Sequence, residues 1–134
     1  MPKRILLCDD EVHILRAAEI KLSRAGYDVQ CASDGQQGWE IIEQACPDLL
    51  ITDCQMPRLD GFGLVQRVRG CEHVAHLPIL MLTAKGFELA HGEVAEQWGI
   101  MAILAKPFSP RQLLKCAEEI LETGRLSAQP LAAM

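Results

Sequence analysis

The sequence is poor in aromatic residues, with three phenylalanines, two tryptophans and one tyrosine among 134 residues. A core must therefore be built mainly from Leu, Ile, Val and Ala, and the 49% apolar share is large enough for one. No run of about 18 apolar residues occurs, so no membrane-spanning helix is expected. A basic excess is missing too: 13 Lys and Arg stand against 18 Asp and Glu, for a formal net charge of −5. Phosphate backbones are held by basic surfaces, so this balance argues against a nucleic-acid partner. Arg67 and Arg69 stand close together and read as part of a solvated helix face.

Cysteine is present without a pattern. None of the six (Cys8, Cys31, Cys46, Cys54, Cys71 and Cys116) forms a CxxC pair. The opening stretch MPKRILLCDD is basic and then apolar, but its apolar run is far too short for a secretory signal and two acids follow at once. A cytoplasmic protein is expected, in which the thiols are reduced and serve mostly as small buried apolar residues. His73 and His76 form an HxxH pair without ligand-spaced partners, and a surface loop is the better reading than a zinc site.

What is present is a strict alternation of short apolar runs and helical periods, at a length that suits one domain. Strands are expected at Arg4–Cys8, Tyr27–Ala32, Leu49–Thr52, Leu77–Thr83 and Ile100–Leu104. The first helix runs from Val12 to Ala25, with Gly26 at its end, and the second from Gln36 to Ala45, closed by Cys46-Pro47. Asp60 can cap a third helix over Gly61 to Arg69. A weaker fourth covers Phe87 to Trp98, with Gly92 inside it suggesting a mobile segment. Ser109 caps the fifth, Pro110 takes its first position, and Gly124 ends it. Apolar strands alternating with helices imply an α/β fold whose parallel sheet is covered on both faces. Residues 1–124 form the expected domain, and 125–134 read as a tail or the start of a linker.

Polar residues collect where the strands end. Asp9, Asp10 and Glu11 follow the first strand, Asp53 the third, Thr83 closes the fourth, and Lys106-Pro107 follows the fifth. The second strand leads into Ser33, Asp34 and Gly35, which carry no evident chemistry. Open parallel sheets bind ligands outside the carboxyl ends of their strands, so these distant residues should converge. Clustered carboxylates favour a hard divalent cation, with Mg2+ the best fit and Mn2+ an alternative. A lysine and a hydroxyl suit a phosphoryl group, and Asp53 could attack phosphorus to give an acyl phosphate. Each residue alone has an ordinary structural explanation; the joint placement is what carries the reading.

The segments LLCDDE (6–11), PDLLITDCQMPRLDG (47–61), PILMLTA (78–84) and AKPF (105–108) resemble, in order and spacing, the CheY-like receiver domain of two-component response regulators. The resemblance covers about Lys3 to Thr123. It implies a flavodoxin-like fold, a doubly wound (βα)5 three-layer sandwich with strand order 2-1-3-4-5. It further implies that Asp53 accepts the phosphoryl group, that Asp10 binds the metal directly and Asp9 largely through water, and that the Gln55 backbone carbonyl completes the protein ligands. Thr83 is then the switch hydroxyl and Lys106 the phosphoryl partner, with the Lys106–Pro107 bond cis. The implied donor is a phosphohistidine on a sensor histidine kinase or histidine phosphotransfer protein. Output goes to a downstream protein target, and a homodimer can form through the fourth helix, fifth strand and fifth helix. Met1 lies directly before the first strand, which favours a position at a protein's N-terminus; no output domain is expected in this chain.

Two departures matter. Family members usually carry an aromatic three residues before the lysine, and here Ile103 stands there, so a weaker switch is expected. Gln55 and Lys85, each two residues beyond a site residue, should border the phosphoryl group and tune its lifetime. A magnesium phosphohydrolase is the competing reading. Such enzymes use a second acid two residues past the nucleophile, where this chain has Gln55, so a non-enzymatic signalling module is expected, catalysing only its own phosphorylation and dephosphorylation.

Overall fold

The computed structural model describes residues 2–84 and 93–123. Lys85, Gly92, Gly124 and the 125–134 tail lie outside them, as does the first half of the expected fourth helix. The elements run β1 (Arg4–Cys8), α1 (Val12–Arg24), β2 (Asp28–Ala32), α2 (Gly35–Gln44), β3 (Leu49–Asp53), α3 (Gly61–Arg69), β4 (Ile79–Thr83), α4 (Glu93–Trp98), β5 (Ala102–Ala105) and α5 (Pro110–Thr123). All strand pairs are parallel and the sheet order is β2-β1-β3-β4-β5.

Successive side chains on a strand face opposite sides of the sheet, and the two faces hold separate cores. Leu6, Leu50, Ile79, Met81 and Ile103 pack with Leu64, Val65 and Val68 of α3 and Ile42 of α2. Ile5, Leu7, Ile51, Leu80 and Leu82 pack with Ala18 and Leu22 of α1 and Leu113, Ala117 and Ile120 of α5. Each fully buried Leu or Ile contributes about 2 kcal/mol. α1 packs on α5, α2 on α3, and α3 on α4, which gives the three layers. β2, at one edge of the sheet, alternates, with Asp28 and Gln30 exposed.

α3 and α5 start where a side chain satisfies a free N–H group. Asp60 Oδ1 accepts from Gly63 N at 2.8 Å at the start of α3. At the start of α5, Ser109 Oγ accepts from Gln112 N (3.1 Å) while Gln112 Oε1 accepts from Ser109 N (2.8 Å), a reciprocal capping box. β4 begins later than expected, since Leu77 donates its N–H to Val74 O in a turn (3.0 Å) and Pro78 has none to give. All six thiols are free; Cys8 and Cys54 are buried and Cys46 is exposed.

Arg69 corrects one expectation. It is not part of a solvated face: its guanidinium donates to the carbonyls of Trp98 (2.6 Å), Ala75 (2.8 Å), Leu77 (2.7 Å) and Gly99 (2.9 Å). It thereby ties the C-terminal end of α4 to α3 and to the approach of β4. Arg67 lies on the exposed face, reaching Gln36 Oε1 at 3.2 Å.

Candidate functional site

The parallel register sets the polar residues along one edge. Asp53 is level with Leu82, and Thr83 with Ala105, so Lys106 emerges one step beyond. Backbone bonds extend the ladder past the strands: Asp9 N donates to Ala32 O (3.1 Å), Cys54 N to Leu82 O (3.0 Å) and Lys106 N to Thr83 O (2.7 Å). A cleft of about 550 Å³ opens there, lined among others by Asp10, Asp53, Gln55 and Lys106. The Lys106–Pro107 peptide is cis.

Carboxylate oxygens of Asp9, Asp10 and Asp53 lie within 4.8 Å of one another, the one cluster of three acid, His or Cys ligands among the described residues. His73 and His76 take no part in any such group there. Asp9 is buried, and its Oδ1 accepts from Glu11 N at 2.9 Å. Its buried Oδ2 receives no hydrogen bond, although Lys106 Nζ stands 3.0 Å away in an ion pair. That oxygen, beside two other hard carboxylates, is a donor set that fits a divalent cation.

Asp53 is also buried; its Oδ1 accepts from Cys54 N (3.0 Å), and its Oδ2 lies 3.3 Å from Lys106 Nζ. Burial pushes its carboxyl up to about 6, the neighbouring Asp9 charge adds to the rise, and Lys106 opposes it. Burial likewise raises Asp9, against its Glu11 and Lys106 contacts. Burial alone would lower Lys106, but Glu11, Asp9 and Asp53 together hold it above the ordinary range. A permanent cation thus faces two acids whose ionisation is resisted, an arrangement that additional positive charge completes. Thr83 is buried at the end of β4, and the Cys54 thiol donates to its Oγ1 at 3.4 Å. Gln55 is exposed at the cleft. Ile103 is buried, 2% exposed, within the α2–α3 face of the core.

Two features of the edge escape a reading of residue types. Glu11 pairs with Lys106 at 2.7 Å, so the lysine faces three carboxylates; the run Asp9-Asp10-Glu11 was the signal for it. The end of β2 is also not inert. Asp34 is buried, caps α2 through Gln37 N (2.8 Å) and forms an ion pair with Arg58 of the loop after β3.

A family model described as the response regulator receiver domain matches residues 5–118. The alkaline phosphatase synthesis transcriptional regulatory protein PhoP of Bacillus subtilis (strain 168) is 37% identical over 96% of this chain and 52% of its own length. The DNA-binding dual master transcriptional regulator RpaA of Synechocystis is 39% identical over 88% of this chain and 48% of its own length. The chain thus spans about half the length of these curated relatives. Among solved structures, the chemotaxis response regulator CheY4 of Vibrio cholerae superposes with a TM-score of 0.83 at 32% identity, covering 90% of this chain and 100% of that one. An acidic strand-end edge, a facing lysine and a sheet in the order β2-β1-β3-β4-β5 go with a match across nearly the whole fold, and the chain belongs to the response regulator receiver domain family.

Proposed function

We propose that this chain is a phospho-accepting module that takes a phosphoryl group on Asp53 from a phosphohistidine and in response alters a protein-binding surface. The observation that carries the reading is Lys106 Nζ standing 3.3 Å from Asp53 and 3.0 Å from Asp9, at the edge where three carboxylates converge. Mg2+, or Mn2+ in its place, would be held by Asp9, Asp10, Asp53 and the Gln55 backbone carbonyl, and supplies charge neutralisation for the phosphoryl oxygens.

The ionised Asp53 carboxylate attacks phosphorus, a P–O bond forms, and the P–N bond to the donor imidazole breaks with its electron pair leaving on nitrogen. The transfer needs positioning and charge compensation more than covalent machinery, and Lys106 provides a fixed charge for the incoming oxygens. Thr83 donates its hydroxyl to a phosphoryl oxygen, and its movement carries the change toward α4, β5 and α5. Gln55 and Lys85 shield the acyl phosphate from water; unaltered dephosphorylation rates in Gln55→Ala and Lys85→Ala would exclude that role. The donor is a sensor histidine kinase or a histidine phosphotransfer protein, and the receiver of the signal is a downstream protein. A homodimer through α4, β5 and α5 is compatible with the same switch. The reading assigns residues 1–124 to the receiver unit and 125–134 to a tail or linker start. It places the protein in the cytoplasm, without nucleic-acid contact by this chain and without turnover of a free substrate. None of the described helices is long and apolar enough to cross a membrane.

The test is incubation with Mg2+ and acetyl or carbamoyl phosphate, read by intact mass. A gain of one phosphoryl group that is lost in Asp53→Asn is expected. No gain in the unaltered protein, or an equal gain in the variant, overturns the assignment.

A further inference from the structure

The loop leaving β3 carries Gln55 to the acidic cleft and then turns toward α3. Two close approaches pin it. A Cβ on Gly61 would lie 2.1 Å from the Asp53 carbonyl oxygen, and one on Gly35, at the start of α2, would lie 2.0 Å from that of Leu59. Only glycine permits backbones to come this near. Between the two contacts Arg58 adopts φ +67°, a left-handed conformation that residues with side chains rarely hold. Leu59 N closes the turn on Pro57 O at 2.8 Å.

A glycine would satisfy that backbone without strain; the position instead carries an arginine whose side chain, 71% exposed, reaches back across the loop. Its guanidinium pairs with Asp34, whose side chain is 2% exposed. The acid works in two directions: Oδ1 accepts the Gln37 N–H at the start of α2, and Oδ2 accepts from Arg58. The Gln37 N–H and, against the cost of burial, the Arg58 charge hold the Asp34 carboxyl below its ordinary range. Asp34 is therefore held in its ionised form. It belongs to the strand end that feeds no residue into the cleft, yet it is joined through Arg58 to the loop that does.

We propose that the Asp34–Arg58 pair is a positioning device. It holds the β3–α3 loop so that the Gln55 carbonyl faces the acidic cleft, and so sets the cleft's affinity for a divalent cation. This rests on the metal ligation proposed above. Partners one step removed from metal ligands commonly control affinity through orientation alone.

The test is Mg2+ titration of the full chain by calorimetry and amide NMR shifts, with urea unfolding alongside. Arg58→Gly suits the left-handed backbone and removes the charge; Asp34→Asn keeps a side chain that caps α2 well and removes the opposite charge. Both are expected to bind Mg2+ about tenfold more weakly, the low end for orienting partners. The double variant should bind no more weakly than either single one, and Arg58→Lys should restore most of the affinity. Long-range attraction alone predicts otherwise: losing a cation near the cleft tightens Mg2+ binding and losing an anion loosens it. Arg58→Gly binding as tightly as the unaltered protein or tighter overturns the inference, as does full additivity in the double variant. Should the unaltered protein itself bind no Mg2+, the metal-dependent reading falls and takes this inference with it; the two failures are thereby told apart.

Discussion

Replacing Asp53 by asparagine should stabilise the metal-free protein at neutral pH. The side chain is 8% exposed, and burial, with Asp9 adding and Lys106 opposing, raises its pKa from 3.8 to about 6. The unfolded chain ionises freely near about pH 4, whereas the folded protein resists until about pH 6. The native state therefore favours the protonated acid, and stability is lost as pH rises through this window. This is the reverse of the usual salt-bridged carboxylate, whose contribution is lost on acidification. The span from 3.8 to about 6 corresponds to about 3 kcal/mol of native-state cost once ionisation is complete. Asparagine has nearly the same shape and no charge to bury, so the variant escapes that cost. Urea unfolding in a chelating buffer should show a gap of only about 0.5 kcal/mol between the two proteins at about pH 4, and a gap of about 3 kcal/mol in favour of the variant by about pH 7.5. Added Mg2+ should then stabilise the unaltered protein and leave the variant little changed, because a ligand stabilises in proportion to its binding to the native state. Equal unfolding midpoints at about pH 7.5, or a gap already complete at about pH 4, would refute the reasoning.

Arg69→Ala should cost about 3 kcal/mol in urea unfolding, because Ala75, Leu77, Trp98 and Gly99 all lose a charged donor; Arg69→Lys should recover less than half, and a loss below about 0.5 kcal/mol would show those carbonyls to be solvated already. Gly61→Ala must displace the Asp53 carbonyl, which a Cβ would meet at 2.1 Å, so it should lower stability by about 2 kcal/mol and slow phosphorylation by acetyl phosphate; an unaffected rate would mean that the loop moves freely of Asp53. Ile103 is buried in the core and offers no ring to turn inward, so a phosphoryl mimic should shift the amide resonances of α4, β5 and α5 less than in relatives with an aromatic there, and large shifts would contradict this.

These expectations divide by how far apart the interacting residues lie in the chain. Strands, helices and the Asp60 and Ser109-Pro110 caps are visible in the sequence because each depends on neighbours within a few positions. Convergence of Asp9, Asp10, Asp53, Thr83 and Lys106 follows from one further rule, that parallel strands end at a common edge. Arg69 and Asp34 obey no such rule. The carbonyls that hold Arg69 belong to residues 75, 77, 98 and 99, and a backbone carbonyl leaves no trace in residue type. Asp34 and Arg58 are 24 positions apart, and neither is distinguishable by type from a solvated charge. Yet Asp34 and Asp53 are both buried acids at or just beyond strand ends, and their surroundings move them oppositely. Asp34 receives a helix N–H and a guanidinium and is held ionised, so its needs are met within the chain. Asp53 has an ammonium shared with Asp9 and Glu11, and remains raised. On the function proposed for this chain, the acid whose electrostatics the chain completes serves position, and the acid left incomplete takes the cation and the phosphoryl group.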